Sequence, residues 1–277
     1  MTSKPANATW PTYLVALIFT VAAAFPFVWM AISSLKSSQE LYSVPPTWLP
    51  RSLTFQNYAN VLFNSNIPRY FLNSVVISVG ASAVAILLAI LAAYGFARFR
   101  FHGKRALQAS ILVSQLLPTA TIIVPLYITF SSLGLVNTYA GLIIVYLIHT
   151  LPLCVWMLIG YFRAIPYEVE EAALIDGASR LLILFRIVLP LSIPGIVSTL
   201  VYSFVSSWNE FIFALVFATD SSVKTLPIGL AEFTSEFNTD WGAVMAASML
   251  MTLPIVILFF GIQKLFVGGM TSGATKG

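Results

Sequence analysis

A group of acidic and small residues interrupts an otherwise apolar chain in the stretch EVEEAALIDG, which ends at Gly177. Its acidic members are Glu168, Glu170, Glu171 and Asp176. Pro166 suits a first helical turn, and carboxylates that follow it are favoured near the positive end of the helix dipole. Ala172 and Ala173 let another surface approach closely, and Gly177 permits a turn that a residue with a β-carbon resists. The pattern predicts a helix, a turn and a second helix over 166–188, which either offers a polar surface to a partner or rests on lipid headgroups.

A second group of residues that could bind a ligand lies in apolar surroundings. It comprises Gln115, His149, Trp208, Asn209 and Glu210. An aromatic ring beside amide and carboxylate groups can bind a small polar ligand by stacking and hydrogen bonding. The alternatives are structural: Trp208 as an anchor at the membrane interface, Glu210 as a paired charge, and the other polar groups as hydrogen bonds between helices. We predict no metal site, because His, Cys, Asp and Glu are not clustered, and the single cysteine, Cys154, excludes an intrachain disulfide.

The composition of the chain is that of a membrane protein. Of its 277 residues, 58% are apolar and 9% are charged, and the mean hydropathy is +0.90. A soluble domain carries about 25% charged residues. We therefore predict an all-α integral membrane protein with a single transmembrane domain over 1–277.

Six apolar runs have the length of about 20 residues that a membrane helix needs. They are 12–35, 70–97, 106–130, 137–162, 189–218 and 242–263. The first run is longer than the apolar part of a signal peptide and no clear cleavage site follows it, so we expect it to be retained. Prolines within the runs are Pro26, Pro118, Pro125, Pro152, Pro194 and Pro254. A proline can kink a helix or be tolerated in a membrane helix, and its presence alone does not decide between the two.

The distribution of lysine and arginine predicts the orientation of these helices. Lys36, Arg51, Arg69 and Lys224 fall on one side, and the other ten of the 14 basic residues fall on the opposite side. Because cytoplasmic loops are enriched in Lys and Arg, we expect both termini and the 166–188 segment in the cytoplasm.

Two longer loops are expected outside. In the loop 36–69, Thr54 is a plausible N-cap. The apolar residues that follow it at helical spacing are Phe55, Tyr58, Ala59, Leu62 and Phe63. They predict a short helix on the outer membrane surface. The loop 219–241 is acidic and is a candidate docking surface.

The spacing around the acidic stretch is specific. Glu171-Ala172-Ala173 is followed after three residues by Gly177, and after nine more by Ile187-Val188-Leu189-Pro190. This pattern resembles the EAA loop of permease subunits in ABC importers, at the place it has in the sugar-permease branch. The stretches WLPRSLTFQNYANVL, ARFRFHGKR, SSWNEFIFAL and VGGMTSGATKG are similar to permeases related to the smaller permease of the maltose transporter. The resemblance covers essentially the whole chain and implies a carbohydrate-importer permease in the cytoplasmic membrane of a bacterium or archaeon. We call residues 166–188 the EAA segment.

The resemblance also implies a mechanism. In the family the EAA segment is a coupling helix that docks in a cleft of the cytoplasmic ATPase, and closure of the ATPase dimer is transmitted through it. The residues implied in this coupling are Glu170, Glu171, Ala172, Ala173, Asp176, Gly177, Ile187, Leu189 and Pro190. The tail 267–277 resembles one that reaches between the ATPase subunits, through Thr271, Gly273, Lys276 and Gly277, unless it is a frayed terminus.

The chain is expected to act with partners and without enzymatic activity of its own. It lacks the G-x-x-x-x-G-K-[ST] loop that cradles phosphates, so we expect no bound cofactor here and place ATP and Mg²⁺ on the ATPase. The resemblance implies a second permease subunit, which would form a heterodimer with this chain, and an extracytoplasmic solute-binding protein. The alternative is an ion-coupled secondary transporter, which would need an intramembrane acidic site, and Glu210 is the available residue. The sequence leaves the substrate open among disaccharides, monosaccharides, polyols and sugar phosphates.

Overall fold

The protein is described here by a computed structural model over residues 10–234 and 239–274, with side chains described up to residue 263. The helices, in chain order, are α1 Trp10–Ser34, α2 Ser38–Leu41, α3 Gln56–Phe63, α4 Ile67–Arg98, α5 Lys104–Ser114, α6 Thr119–Ser132, α7 Tyr139–Ala164, α8 Tyr167–Ile175, α9 Arg180–Ile183, a π-helical turn Leu184–Val188, α10 Leu189–Leu191, α11 Ile193–Trp208, α12 Ile212–Phe217, α13 Leu226–Glu232 and α14 Trp241–Ala274. Apart from an isolated bridge between Thr234 and Thr239, these described residues contain no strand. The predicted all-α fold is confirmed.

The described helices include four that are long and apolar enough to cross a membrane by themselves. These are Trp10–Ser34, Ile67–Arg98, Tyr139–Ala164 and Trp241–Gln263. Two further pairs qualify only when both members are taken together. Lys104–Ser114 and Thr119–Ser132 meet at 99°, and Arg180–Leu191 and Ile193–Trp208 meet at 81°. The number of candidate spans is therefore six if each bent pair is one span, and the third and fifth predicted runs are not straight helices.

The contacts divide the chain into two compact units, and the single domain over 1–277 stays a prediction. The first unit comprises 1–67 and 230–252. In it, the Asn57 amide donates to the carbonyl oxygens of Ser34 and Lys36 at 2.9 and 2.8 Å, and fastens α3 to the end of α1. The helix predicted after Thr54 is present, but Phe55 occupies the N-cap position. The Thr54 hydroxyl, one residue earlier, accepts from the backbone N–H of Gln56 at 3.1 Å and satisfies a donor of the first helical turn.

A carboxylate organises the loop between α2 and α3 in the same unit. Glu40 Oε1 accepts a hydrogen bond from the backbone N–H of Arg51 at 2.8 Å and from the Thr47 hydroxyl at 2.9 Å. The Arg51 amide, with the Thr47 hydroxyl and the nearby cations, holds the pKa of the Glu40 carboxyl below its usual value. Lys36 donates to the carbonyl oxygen of Thr47. These contacts give the loop a fixed path.

The second unit comprises 68–229 and 253–277. Its core lies where α4, α7 and the chain around the π-helical turn pack together. Fully buried alanines recur every four residues along one face of α4: Ala81, Ala85, Ala89 and Ala93. Small residues at this spacing let neighbouring helices approach closely. The same packing covers Cys154, which is free and buried.

Candidate functional site

The EAA segment folds as a helix, a turn and a second helix, as its sequence indicates. Helix α8 ends at Ile175, and Gly177 adopts a left-handed conformation at φ +82°. The N–H of Gly177 donates to the carbonyl of Leu174 at 3.1 Å, and the N–H of Ala178 donates to that of Ala173 at 2.9 Å. This pair of bonds is the Schellman arrangement that ends many helices with glycine. The turn is therefore defined by its own backbone.

The second half of the segment is fixed to the core. The Ser179 hydroxyl caps α9 by accepting from the N–H of Leu182 at 3.3 Å. Leu184 and Val188 are buried against α4 and α7, whereas Ile187 and Leu189 are half-buried and Pro190 is exposed. The helical path continues to Leu191 and then bends into α11. The second half is thus continuous with the core.

The first half of the segment presents an exposed surface. Glu171, Ala172, Asp176 and Gly177 are exposed, and Ala173 is half-buried against the core. Ile175 projects between them with 86% of its surface exposed. An apolar side chain flanked by carboxylates has the apolar centre and polar rim that are common at contacts between proteins. Sequence reasoning did not single out Ile175, although its place directly before Asp176-Gly177 puts it at the tip of the turn.

Glu170 lies on the opposite side of α8 and is completely buried. Its carboxylate forms an ion pair with Arg98, whose side chain is only 7% exposed, and accepts a hydrogen bond from the Tyr94 hydroxyl at 3.2 Å. Arg98 also donates to the carbonyl oxygen of Ile165 at 3.1 Å. Tyr94 and Arg98 belong to the last turns of α4. The side chain of Glu170 therefore joins the EAA segment to α4 and is not part of its exposed surface.

Two of the ligand-binding candidates lie on one cavity. A space of about 420 Å³ at the bend between α5 and α6 is lined by Gln115, His149 and Phe213 among mainly apolar residues. The Gln115 amide donates to the backbone carbonyl of His149 at 3.4 Å. The His149 ring meets the Phe213 ring edge to face at 5.9 Å between centroids. The cavity combines an aromatic ring with an amide and an imidazole, which are groups that bind small polar ligands.

The other three candidates occupy different surroundings. Trp208 is 1% exposed and packs against the rings of Phe71 and Phe204. Helix α11 ends there, and the exposed Asn209 is its C-cap. Glu210 Oε1 accepts from the backbone N–H of Phe213 at 2.9 Å at the start of α12. The predicted run 189–218 is therefore not one continuous helix, because the chain bends before α11 and breaks after Trp208.

The predicted tail contact falls outside the part of the chain whose side chains are described. It concerned Thr271, Gly273, Lys276 and Gly277.

Comparison with known proteins identifies the family. Residues 85–272 match the model for the family described as "Binding-protein-dependent transport system inner membrane component". The chain belongs to this family. This result confirms the resemblance predicted from the EAA spacing, and it makes the chain a multi-pass membrane component of a transport system.

Curated relatives are similar to this chain over nearly its full length. The "Inner membrane ABC transporter permease protein YcjP" of Escherichia coli K12 is 39% identical, over 94% of this chain and 94% of the relative. The "Trehalose/maltose transport system permease protein MalG" of Thermococcus litoralis is 37% identical, over 95% of each chain. The "Sulfoquinovosyl glycerol transport system permease protein SmoH" of Agrobacterium fabrum is 34% identical, over 96% of this chain and 93% of the relative.

A solved structure has the same fold. A chain of a bacterial ABC transporter involved in the import of the acidic polysaccharide alginate is similar with a TM-score of 0.80, over 96% of this chain and all of that chain. Its sequence is 21% identical. The similarity therefore concerns the fold.

Proposed function

We propose that this chain is the permease subunit of an ATP-driven importer and forms half of the translocation path for a carbohydrate, a related polyol or a sugar phosphate. Relatives named for trehalose and maltose, sulfoquinovosyl glycerol and diacetylchitobiose support this substrate class. The observation that supports this function best is the structure of the EAA segment. Its exposed surface comprises Glu171, Ala172, Ile175 and Asp176. The segment is joined to α4 by the ion pair of Glu170 with Arg98. A rigid connection of this kind can transmit movement from a bound partner to a membrane helix.

The proposed partners are an ATPase dimer, a second permease subunit and a solute-binding protein outside the cell. The ATPase would bind the exposed surface of the EAA segment and would carry ATP and Mg²⁺, so this chain is proposed to be non-catalytic. A similar solved structure is described as an alginate transporter in complex with an alginate-bound periplasmic protein, which supports a solute-binding partner. The lysine and arginine distribution supports an orientation with both termini and the EAA segment in the cytoplasm.

The cavity at Gln115, His149 and Phe213 is proposed to belong to the translocation path. Its lining offers the Phe213 ring together with amide, imidazole and hydroxyl side chains, and it lies at the bend of the helix pair α5–α6. Trp208 is assigned a structural role because it is buried. The Glu210 carboxylate accepts a hydrogen bond from the backbone N–H of Phe213. This contact favours a structural role for Glu210 over a role as a coupling-ion site. With relatives named as ABC permeases, the ion-coupled alternative has no observation in its favour.

The test of the proposed function is a substitution at Gly177, followed by isolation of the complex. Gly177→Leu forces a branched side chain into φ +82°, where the left-handed conformation costs about 1–2 kcal/mol. We expect the altered turn to abolish sugar uptake and to remove the ATPase that co-purifies with tagged wild-type protein, while the protein remains inserted in the membrane. Gly177→Asn is the matched control, because asparagine tolerates this conformation, and it should retain most of the uptake.

The opposite results would be equally informative. Normal uptake by Gly177→Leu would show that the EAA segment does not couple the chain to a partner. Transport in liposomes by the isolated chain without ATP would refute the importer assignment.

A further inference from the structure

The connection between α4 and α5 concentrates positive charge. Arg98, Arg100, Lys104 and Arg105 follow one another within it, and only Arg98 is committed to Glu170. Arg163, at the end of α7, and Arg100 are both close enough to repel the Lys104 ammonium group. We call Arg100, Lys104, Arg105 and Arg163 the basic cluster. Among the described residues, none of its members has a carboxylate within ion-pairing distance.

Uncompensated cations that are neighbours in the fold repel one another, so an anion bound among them would stabilise the folded chain. The cluster also has room for one. A space of about 530 Å³ is lined by Arg100, Phe101 and Gly103 to Ala106. Lys104 is held in place because its ammonium group donates to the carbonyl oxygen of Phe99 at 2.9 Å. At least one of the cations that border this space is therefore held by a hydrogen bond to the backbone.

The surroundings of the cluster are apolar and lie at a membrane surface. The connection joins two candidate spans, α4 and the α5–α6 pair, so it must lie near one face of the bilayer whichever side that is. Phe99 and Phe101 are 46% and 42% exposed beside the cations, and Phe101 packs on Phe96 at 5.9 Å between ring centroids. Exposed phenylalanine rings at a membrane surface lie at the boundary between the headgroups and the acyl chains. The cations can bind the phosphate of a phospholipid, and the rings can contact its glycerol and acyl chains.

We propose that the basic cluster, with Phe99 and Phe101, binds the headgroup of an anionic phospholipid. The phosphate would lie against Arg100, Lys104 and Arg105, and the rings would contact the glycerol and upper acyl chains. A free phosphate ion would use the cations without the rings. Bilayer lipid is therefore the ligand that uses both features of the site.

The experiment compares lipid binding by purified full-length protein and by a charge variant. Arg100→Gln/Arg105→Gln removes two cations and keeps Lys104, whose contact with Phe99 is structural. The matched control, Arg51→Gln/Arg69→Gln, removes the same charge from exposed side chains elsewhere in the chain. Thermal unfolding is followed in detergent with added phosphatidylglycerol, phosphatidylcholine or inorganic phosphate. A ligand that binds the folded state raises the melting temperature.

We expect phosphatidylglycerol, and not phosphatidylcholine, to raise the melting temperature of the wild type and of the control variant. The affinity of Arg100→Gln/Arg105→Gln for phosphatidylglycerol should fall about 30-fold, as the loss of two cations at a membrane surface predicts. Its melting temperature in phosphatidylcholine should match the wild type, which shows that it is folded. If it does not fold, the single variants Arg100→Gln and Arg105→Gln replace it, and each should lower the affinity for phosphatidylglycerol about 5-fold.

Three results would overturn the proposal. The first is a phosphatidylglycerol response in Arg100→Gln/Arg105→Gln equal to that of the wild type. The second is equal stabilisation of the wild type by millimolar inorganic phosphate, which would make the site one for a free anion. The third is loss of a co-purifying protein from Arg100→Gln/Arg105→Gln while its lipid response stays unchanged, which would make the basic cluster a contact for that protein.

Discussion

At the level of single residues, the ion pair between Glu170 and Arg98 determines how the EAA segment is attached. Glu170→Gln would leave the Arg98 guanidinium buried without a counter-charge, and breaking a buried pair in this way costs about 3–5 kcal/mol. We expect a lower melting temperature of the purified protein and reduced uptake, because α8 is no longer fastened to α4. The melting temperature is measured on the purified protein in detergent, and sugar uptake is measured in cells that express the same variant.

The control for this variant is the adjacent carboxylate. Glu171→Gln alters an exposed side chain, so the free energy of unfolding should change by no more than about 0.5 kcal/mol, whereas co-purification of the ATPase should fall. Exchange of the charges in Arg98→Glu/Glu170→Arg should recover part of the stability lost in Glu170→Gln. A melting temperature of Glu170→Gln equal to that of the wild type would contradict a structural role for the pair.

The sequence could not distinguish these two glutamates. They are adjacent in the chain and both precede the alanines of the EAA pattern, yet successive residues on an α-helix point about 100° apart. The partner of Glu170 is 72 positions away, so no local spacing indicates it. Local chemistry did predict the turn at Gly177, since the Schellman arrangement depends on the glycine itself.

At the level of whole helices, hydrophobic length predicted where the chain is helical but not where it bends. Pro118 and Pro194 lie at the two sharp bends. Pro26, Pro125, Pro152 and Pro254 lie inside continuous helices. The same residue type has both outcomes because the freed backbone group can be satisfied by neighbouring helices, and those neighbours are not apparent in a single sequence. The cavity at Gln115 and His149 depends on the first bend and was therefore not predictable as a cavity.

Helices α7 and α11 pack so closely that one methyl group added at their contact should destabilise the fold. Gly195 is buried on α11, and a β-carbon there would overlap the ring of Tyr161 on α7. We expect Gly195→Ala to lower the free energy of unfolding by about 1–3 kcal/mol, the usual cost of overpacking. The quantity is measured by denaturant titration in detergent.

The matched control is Gly160→Ala, one residue before Tyr161, where an added β-carbon meets nothing within 4 Å. It should be neutral or slightly stabilising, because alanine favours a helix over glycine by up to about 1 kcal/mol. Tyr161→Leu should relieve part of the defect of Gly195→Ala. Equal free energies of unfolding for Gly195→Ala and Gly160→Ala would show that Gly195 does not pack directly against the Tyr161 ring.

At the level of the whole molecule, the fold and the family agree, whereas the orientation in the membrane is a proposal from charge distribution. The single cysteine makes it testable, because Cys154 is fully buried and gives a low background with maleimide reagents. Ser52→Cys and Ser221→Cys place thiols on exposed positions of the loops proposed to lie outside, and Glu168→Cys places one on the EAA segment. In intact cells, a membrane-impermeant maleimide should label the first two variants and leave Glu168→Cys unlabelled.

Permeabilised cells are the control for access of the maleimide. All three engineered thiols should then be labelled, and the parent protein should not. Labelling of Glu168→Cys in intact cells would place the EAA segment outside, where an ATP-hydrolysing partner has no substrate, and would exclude the proposed coupling. Labelling of only one of the two outer thiols would instead show that a bent pair does not cross the membrane. That result would reduce the number of spans from six, since α5–α6 and the pair that ends in α11 are counted as spans only when each pair is taken together. The labelling pattern thus tests the side of the membrane on which the EAA segment lies and detects a single bent pair that does not cross.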